Sequence, residues 1–281
     1  MSERTTTRRR QLGAMMRKLR ARKGLTLEEA GRLVGVSKAT VSRYETQSGP
    51  VKWIVVDALC REYGATEAER KAVVGLAKGA KEQGWWSSFA DSIPESMNLL
   101  LTLEDEAVGE NHFSCVYVPG LLQTRAYSTA LQQANEIPLQ PDEIERLVDI
   151  RMKRQDILNR PQPLRLWAIL DESVIRRVVG SPQTMKEQLG QLLEANESPH
   201  ITLQILPFSK GAHAAALGSF VIIGGTEPAL DVVYVDFHTG SLFLEKDEEL
   251  DRYRLAFDYL RAQALDMEAS SALIDRVRKE L

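Results

Sequence analysis

The stretch LTLEEAGRLVGVSKATVSRYE, Leu25 to Glu45, constrains the fold more than any other part of this chain. Thr26 is a good helix N-cap, and Glu29 stands three residues on, the spacing of a capping box. Leu27, Ala30, Leu33 and Val34 then repeat at helical spacing. Gly35 allows a tight turn, and Val36 is placed to pack between the helices on either side. Ser37 is the cap of a second helix, with Thr40 and Arg43 near one face and Val41 and Tyr44 near another. Two short helices joined by a turn are therefore expected, the second displayed at the surface in the manner of a helix-turn-helix.

Charge divides the chain along the same line. Residues 1–80 carry 17 Lys and Arg against 8 Asp and Glu, whereas the remainder carries 19 against 31. The overall net charge of −3 conceals this asymmetry. A basic part that coincides with a helix-turn-helix points to nucleic acid, because the second helix of that motif enters the major groove of DNA. An acidic remainder points to a unit that avoids DNA or meets a different partner.

At 281 residues, two domains are the natural expectation. No apolar run approaches the ~18 residues of a membrane helix, and the N-terminus lacks the apolar core of a signal peptide. A cytoplasmic protein with no membrane partner is expected. Cys60 and Cys115 are far apart, match no metal spacing and read as buried thiols.

Arg8 to Arg22 suits a first helix, with Leu12, Met15, Met16 and Leu19 as its apolar stripe and Gly24 as its stop. A fourth helix is predicted over Trp53–Tyr63, with Ile54, Val55, Ala58 and Leu59 inward, ended by Gly64. Thr66 caps a fifth, from about Glu67 to Lys81, carrying Val73, Val74 and Ala77. Residues 1–81 thus form an all-α bundle of five helices. Residues 82–95 form an aromatic junction, whose Trp85, Trp86 and Phe89 are too apolar for a free linker.

From 96 to 281 the pattern is α+β. Helices are expected over Leu99–Glu110, Leu122–Gln133, Pro141–Asn159, Glu172–Val179, Pro182–Ala195, Lys246–Ala264 and Glu268–Glu280. Strands are expected over Phe113–Val118, Leu164–Leu170, Ile201–Leu206, Ser219–Ile223, Asp231–Phe237 and Leu242–Leu244, the last three as a meander. Helices flanking a mostly antiparallel sheet make an α+β domain.

GVSKATVSRYE resembles the recognition half of XRE/Cro-type helix-turn-helix regulators. VPGLLQTRAYSTAL, from Val118 to Leu131, resembles actinobacterial members of that group that carry a C-terminal DUF5753 domain, among them the WhiJ-like and antitoxin-like regulators. Trp85-Trp86, RMKRQDIL at Arg151–Leu158, ILDESVIRRVVG at Ile169–Gly180 and QILPFSKGAH at Gln204–His213 follow in the same family order. The resemblance covers nearly the whole chain. It departs where Gln47 stands in place of the glycine expected after the recognition helix. It implies double-stranded DNA as one partner, a homodimer, and a small DUF397-type protein as a second partner.

The positions that match the base-reading residues of such regulators are Lys38, Ala39 and Arg43. Lys38 and Arg43 suit guanine O6 and N7, and Ala39 suits a thymine methyl. Thr26, Ser37, Thr40, Ser42, Arg17 and Arg20 are phosphate candidates, joined by the arginine run Arg8–Arg10. In the acidic part, Trp85, Trp86, Gln123, Thr124 and His213 are candidates for contact with a partner or ligand. For Val118–Thr124 a fold-defining corner is the favoured reading. Helix capping likewise accounts for Asp171-Glu172. No phosphate-cradling GxxxxGK[ST], HExxH, GxSxG or paired-cysteine pattern occurs, and the four histidines have no metal spacing. No enzyme, cofactor or metal is expected. Two other readings stay open: a sensor of an apolar or aromatic small molecule held under Trp85, Trp86 and the Pro207–Gly218 loop, and an antitoxin-like protein that sequesters a partner and autoregulates.

Overall fold

A computed structural model describes residues 7–46, 51–78, 93, 95–134, 138–215, 217–224, 231–238 and 240–281, and of 7–11, 78, 95–96 and 106 the main chain alone. The chain divides into two units, Met1–Ser87 and Ser88–Leu281. The junction aromatics Trp85, Trp86 and Phe89 lie outside the described residues, as do Gln47 and Gly49.

The first unit is the expected five-helix bundle: α1 Thr7–Arg22, α2 Leu27–Leu33, α3 Lys38–Thr46, α4 Trp53–Glu62 and α5 Glu67–Lys78. Local chemistry sets its boundaries. In α2, Glu29 N donates to Thr26 Oγ1 at 3.2 Å and Thr26 N donates to Glu29 Oε2 at 2.8 Å, a closed capping box. Thr66 and Glu69 repeat the device at the start of α5. Arg22, at the end of α1, grips the same Glu69 through two hydrogen bonds, and with the Thr66 bonds this holds the Glu69 carboxyl down to about 2. The core joins Leu12, Met16 and Leu19 of α1 to Val41 and Tyr44 of α3 and Val73 of α5. Two expected inward residues differ. Leu33 is 50% and Ile54 65% exposed. The buried stripe of α4 is Val56, the expected Leu59 and Cys60, continued by Tyr63, a spacing of three, one and three that keeps one helical face inward. Burial pushes the Cys60 thiol up to about 12.

The second unit is built on a six-stranded sheet in the order β3-β2-β1-β4-β5-β6. Its elements are α6 Glu95–Glu106, β1 Gly109–Ser114, α7 Arg125–Gln133, α8 Pro141–Arg154, β2 Arg165–Asp171, α9 Glu172–Arg176, α10 Pro182–Asn196, β3 Ile201–Leu206, β4 Phe220–Gly224, β5 Val232–Phe237, β6 Gly240–Leu244, α11 Asp247–Gln263 and α12 Met267–Glu280. Neighbours are antiparallel from β1 through β4 and β5 to β6, so the sheet is mostly antiparallel and its last three strands form the expected meander. The other half, β1-β2-β3, is parallel. Parallel neighbours need crossovers, and α7–α8 and α9–α10 supply them.

Each face of the sheet has its own core. Ala168, Leu170, Leu203 and Ile205 pack with Tyr127, Val174, Met185 and Leu189 from the crossover helices. Phe113, Ile169, Phe220 and Val233 pack on the opposite face with Leu250, Phe257 and Leu260 of α11. The outer edge of β3 is closed from within the chain: Leu203 N donates to Asn196 Oδ1, Ile205 N to Ser270 Oγ, and Leu265 N to Ile205 O.

β1 starts and ends four residues earlier than its apolar pattern suggests, at Gly109–Ser114 rather than Phe113–Val118. The reason is chemical. Glu110 and His112 occupy the strand positions that pair with core-facing Leu166 and Ala168, so polar residues stand where alternation calls for apolar ones.

Candidate nucleic-acid interface

The geometry of the first unit starts at Gly31. A Cβ built there would lie 2.5 Å from Val36 O and 3.3 Å from Ser37 C, so only glycine lets α2 come this close to the turn. Val36 N donates back to Gly31 O at 2.9 Å, and Gly35 makes the turn with φ +69°. Ser37 then caps α3 by accepting from Thr40 N at 3.2 Å.

The faces of α3 are sharply divided. Val41, Tyr44 and Glu45 are buried, while Lys38, Ala39 and Arg43 are exposed together with Ser37. The buried face is fixed by an ion pair as well as by apolar packing. Arg20 of α1 donates from Nε and Nη2 to the two carboxylate oxygens of Glu45, at 2.6 and 2.8 Å, and from Nη1 to Leu25 O at 2.7 Å. The Glu45 bond is the main cause that holds the Arg20 guanidinium above its ordinary value, against burial. A bidentate pair of this kind fixes orientation as well as distance.

The phosphate candidates therefore separate. Arg20 is turned inward with all its forked geometry occupied, which takes it out of the set expected to meet DNA. Arg17, one turn earlier, keeps a side chain that is 59% exposed, its Nη2 donating to Glu45 O at 3.4 Å and its Nε lying 3.8 Å from Glu45 Oε2. Thr26 Oγ1 both accepts from Glu29 N and donates to Glu29 Oε2, so its hydroxyl is committed to the cap. Ser37 Oγ and Thr40 Oγ1 lie 3.0 Å apart, and Arg43 Nη2 reaches Thr40 Oγ1 at 3.3 Å. Ser42 is half-buried. The side chains of Arg8, Arg9 and Arg10 lie outside the described residues. Sequence reasoning overlooked Gly31 and Glu45. The small pair Ala30-Gly31 ahead of the Gly35 turn was a readable signal for the first, but nothing local announces that Glu45 meets a residue 25 positions away.

In the second unit, Val118–Thr124 forms a tightly bonded corner. Gln123 is buried, its amide donating to Val118 O at 2.7 Å and accepting from Arg151 Nη1 at 2.7 Å. Gln155 donates to Gly120 O and Gln123 O. Thr124 caps α7 by accepting from Tyr127 N, while its own N–H donates to Gln188 Oε1. Both Gln123 and Thr124 are thus spent inside the domain, which removes them as ligand candidates. The same bonds explain why VPGLLQT and RMKRQDIL occur together: the second motif is the hydrogen-bond partner of the first. His213 is half-buried, its Nδ1 accepting from Ala215 N at 3.2 Å and its ring edge-on to Phe113 at 5.4 Å. Asp171 caps α9 by accepting from Ser173 N at 2.9 Å. Cys115, expected to be buried, is only partly so.

A family model described as a helix-turn-helix domain matches residues 11–73, and one described as a domain of unknown function, DUF5753, matches residues 97–276. No curated protein and no solved structure matches the chain. The two matched segments fall on the two structural units, the first on the bundle that displays α3 and the second on the domain bonded through Gln123 and Arg151. With the larger match spanning well over half its length, this chain belongs to the DUF5753 family and carries a helix-turn-helix domain ahead of the domain that defines that family.

Proposed function

We propose that the protein is a sequence-specific DNA-binding transcription regulator that reads base edges through α3. One observation carries this reading: Lys38, Ala39 and Arg43 share the exposed side of a helix whose opposite side is held by Val41, Tyr44 and the Arg20–Glu45 pair. A recognition helix needs that combination of free side chains on a fixed axis. Lys38 and Arg43 provide donors for guanine, and Ala39 provides a methyl for thymine. Arg17, Ser37, Thr40 and Ser42 are the proposed backbone contacts, with the N-terminal N–H groups of α3 beside them. A homodimer would place two such helices ~34–36 Å apart, to read a near-palindrome.

The DUF5753 domain is proposed to receive the signal by binding a small DUF397-type protein in the cytoplasm, a reading supported by the family resemblance and by the acidic balance of residues 81–281, 19 Lys and Arg against 31 Asp and Glu. The test of base reading is selection of bound sequences from a random DNA pool by the full-length protein. The wild type is expected to yield a defined site, and Arg43→Ala to relax preference at one position by about 1–3 kcal/mol with an unchanged melting temperature. An Arg43→Ala protein that selects the same site overturns the assignment. Copurification from the native host, read by native mass spectrometry, tests the partner: a stoichiometric small protein supports it, and a bound small molecule in its place replaces it with ligand sensing.

A further inference from the structure

The sheet of the second unit has two unlike edges. Asn196, Ser270 and Leu265 close the outer side of β3, whereas β6 ends the sheet on the other side with its backbone open. The alternation of the ladders shows which groups β6 offers. Arg165 N donates to Val108 O, so the even-numbered residues of β1 bond towards β2, and Gly109, Asn111 and Phe113 bond towards β4. Carried across the next registers, the alternation makes Val221–Tyr234 and Ile223–Val232 the bonded pairs of β4 and β5. It then makes Val233–Leu244, Val235–Leu242 and Phe237–Gly240 those of β5 and β6. Ser241 and Phe243 therefore point their N–H and C=O groups outward, and no backbone bond from the described residues reaches them.

An open edge is ordinarily guarded by a charge, a proline or a bulge. Gly240–Leu244 reads GSLFL, with neither charge nor proline, and it pairs with β5 residue for residue. Apolar side chains stand uncovered beside it. Leu242 is 45% exposed, and Phe237, directly opposite Gly240, is 52% exposed. Both lie on the face of the sheet that carries Val233, Leu244 and α11.

Resting on the homodimer reading given above, we propose that β6 is the surface through which two copies of this chain associate, the two strands pairing antiparallel about a two-fold axis at Leu242. The strand is complementary to itself. Ser241 stands opposite Phe243 of the second copy, and Phe243 opposite Ser241 of that copy, so each pair exchanges both of its N–H···O bonds. Leu242 meets Leu242 of the second copy in the intervening non-hydrogen-bonded pair, where side chains come closest. Gly240 stands opposite Leu244 of the second copy. Having no side chain, Gly240 lets the exposed ring of Phe237 reach across to that leucine. The strand holds no charge, so no like charges oppose one another within it. Pairing of this kind is isologous, the commonest symmetry of a soluble dimer.

The test is the mass of the full-length protein in solution, by sedimentation equilibrium at micromolar concentration without DNA. The wild type is expected at twice the chain mass. Leu242→Lys sets two ammonium groups against each other on the axis and is expected at the chain mass, with an unchanged urea midpoint for the second unit. Leu242→Cys gives a reading that needs no loss of association: mild oxidation is expected to join two chains through that residue. Val178→Cys, at an equally exposed position after α9, is expected to remain a single chain under the same oxidation. A wild type at the chain mass, a folded Leu242→Lys that stays at twice that mass, or no disulfide through Leu242→Cys overturns the proposal. Since no DNA is present, such a failure leaves base reading by α3 standing, and a protein that selects no DNA site leaves the β6 pair standing.

Discussion

Gly31 and Arg20 carry more of the recognition element than their positions in the sequence advertise. Replacing Gly31 by Ala favours the helix by about 1 kcal/mol on propensity alone. The new methyl, however, meets Val36 O at 2.5 Å, a backbone atom that cannot move without shifting the turn. Overpacking of this kind costs about 1–3 kcal/mol, so Gly31→Ala is expected to lower the unfolding midpoint of the bundle, measured by thermal denaturation. Arg20 poses the opposite question, since a basic residue on a DNA-binding unit invites a phosphate role. Glu45 is 4% exposed, and in Arg20→Ala it loses its bidentate partner and keeps the longer ion pair with Arg17 at 3.8 Å. Breaking a buried pair costs about 3–5 kcal/mol, and with Arg17 still near Glu45 a destabilisation at the lower end of that range is expected, again by thermal denaturation. A variant of normal stability but weaker DNA binding would return Arg20 to the phosphate set.

Elements differ in how openly the chain announces them. α2 and α5 were legible to within a residue or so at their starts, because each opens on a capping box and the turn residues Gly35 and Gly64 are unambiguous. The face of α4 was misjudged: Ile54 is apolar but exposed, and nothing local distinguishes it from Val56. β1 was misplaced because Glu110 and His112 take inward positions, and a charged residue in a strand core defeats any reading by alternation. The parallel half of the sheet was unread for another reason: strand direction depends on crossovers between residues far apart, not on local pattern. The corner at Val118–Thr124 was identified, but its cause, the Gln123 amide between Val118 O and Arg151, appears only in three dimensions. Gln123→Ala breaks both bonds and leaves the Arg151 side chain without that acceptor. A loss of about 2–3 kcal/mol in the second unit is expected, measured by urea unfolding. Unchanged stability with lost partner binding would show that Gln123 serves recognition instead.

At the scale of the whole molecule, the separation of charge matters most. The surplus of 17 basic over 8 acidic residues in 1–80 predicts DNA affinity that falls steeply with salt. Each phosphate contact contributes a slope of about −0.9 in log K against log salt concentration. Fluorescence anisotropy of the full-length protein on its selected site is expected to show Arg17→Ala reducing the slope by about 1, since that side chain is exposed. A flat salt dependence of the wild type would dismiss phosphate contact altogether. One further consequence belongs to the second unit. Asn196, Ser270 and Leu265 occupy the hydrogen-bonding positions along the outer side of β3. A sheet sealed along one margin has at most one margin left for strand addition. If two copies pair through the other margin, no open margin is left for a third, so edge-to-edge growth of this sheet is blocked by a pair of polar side chains and one backbone N–H.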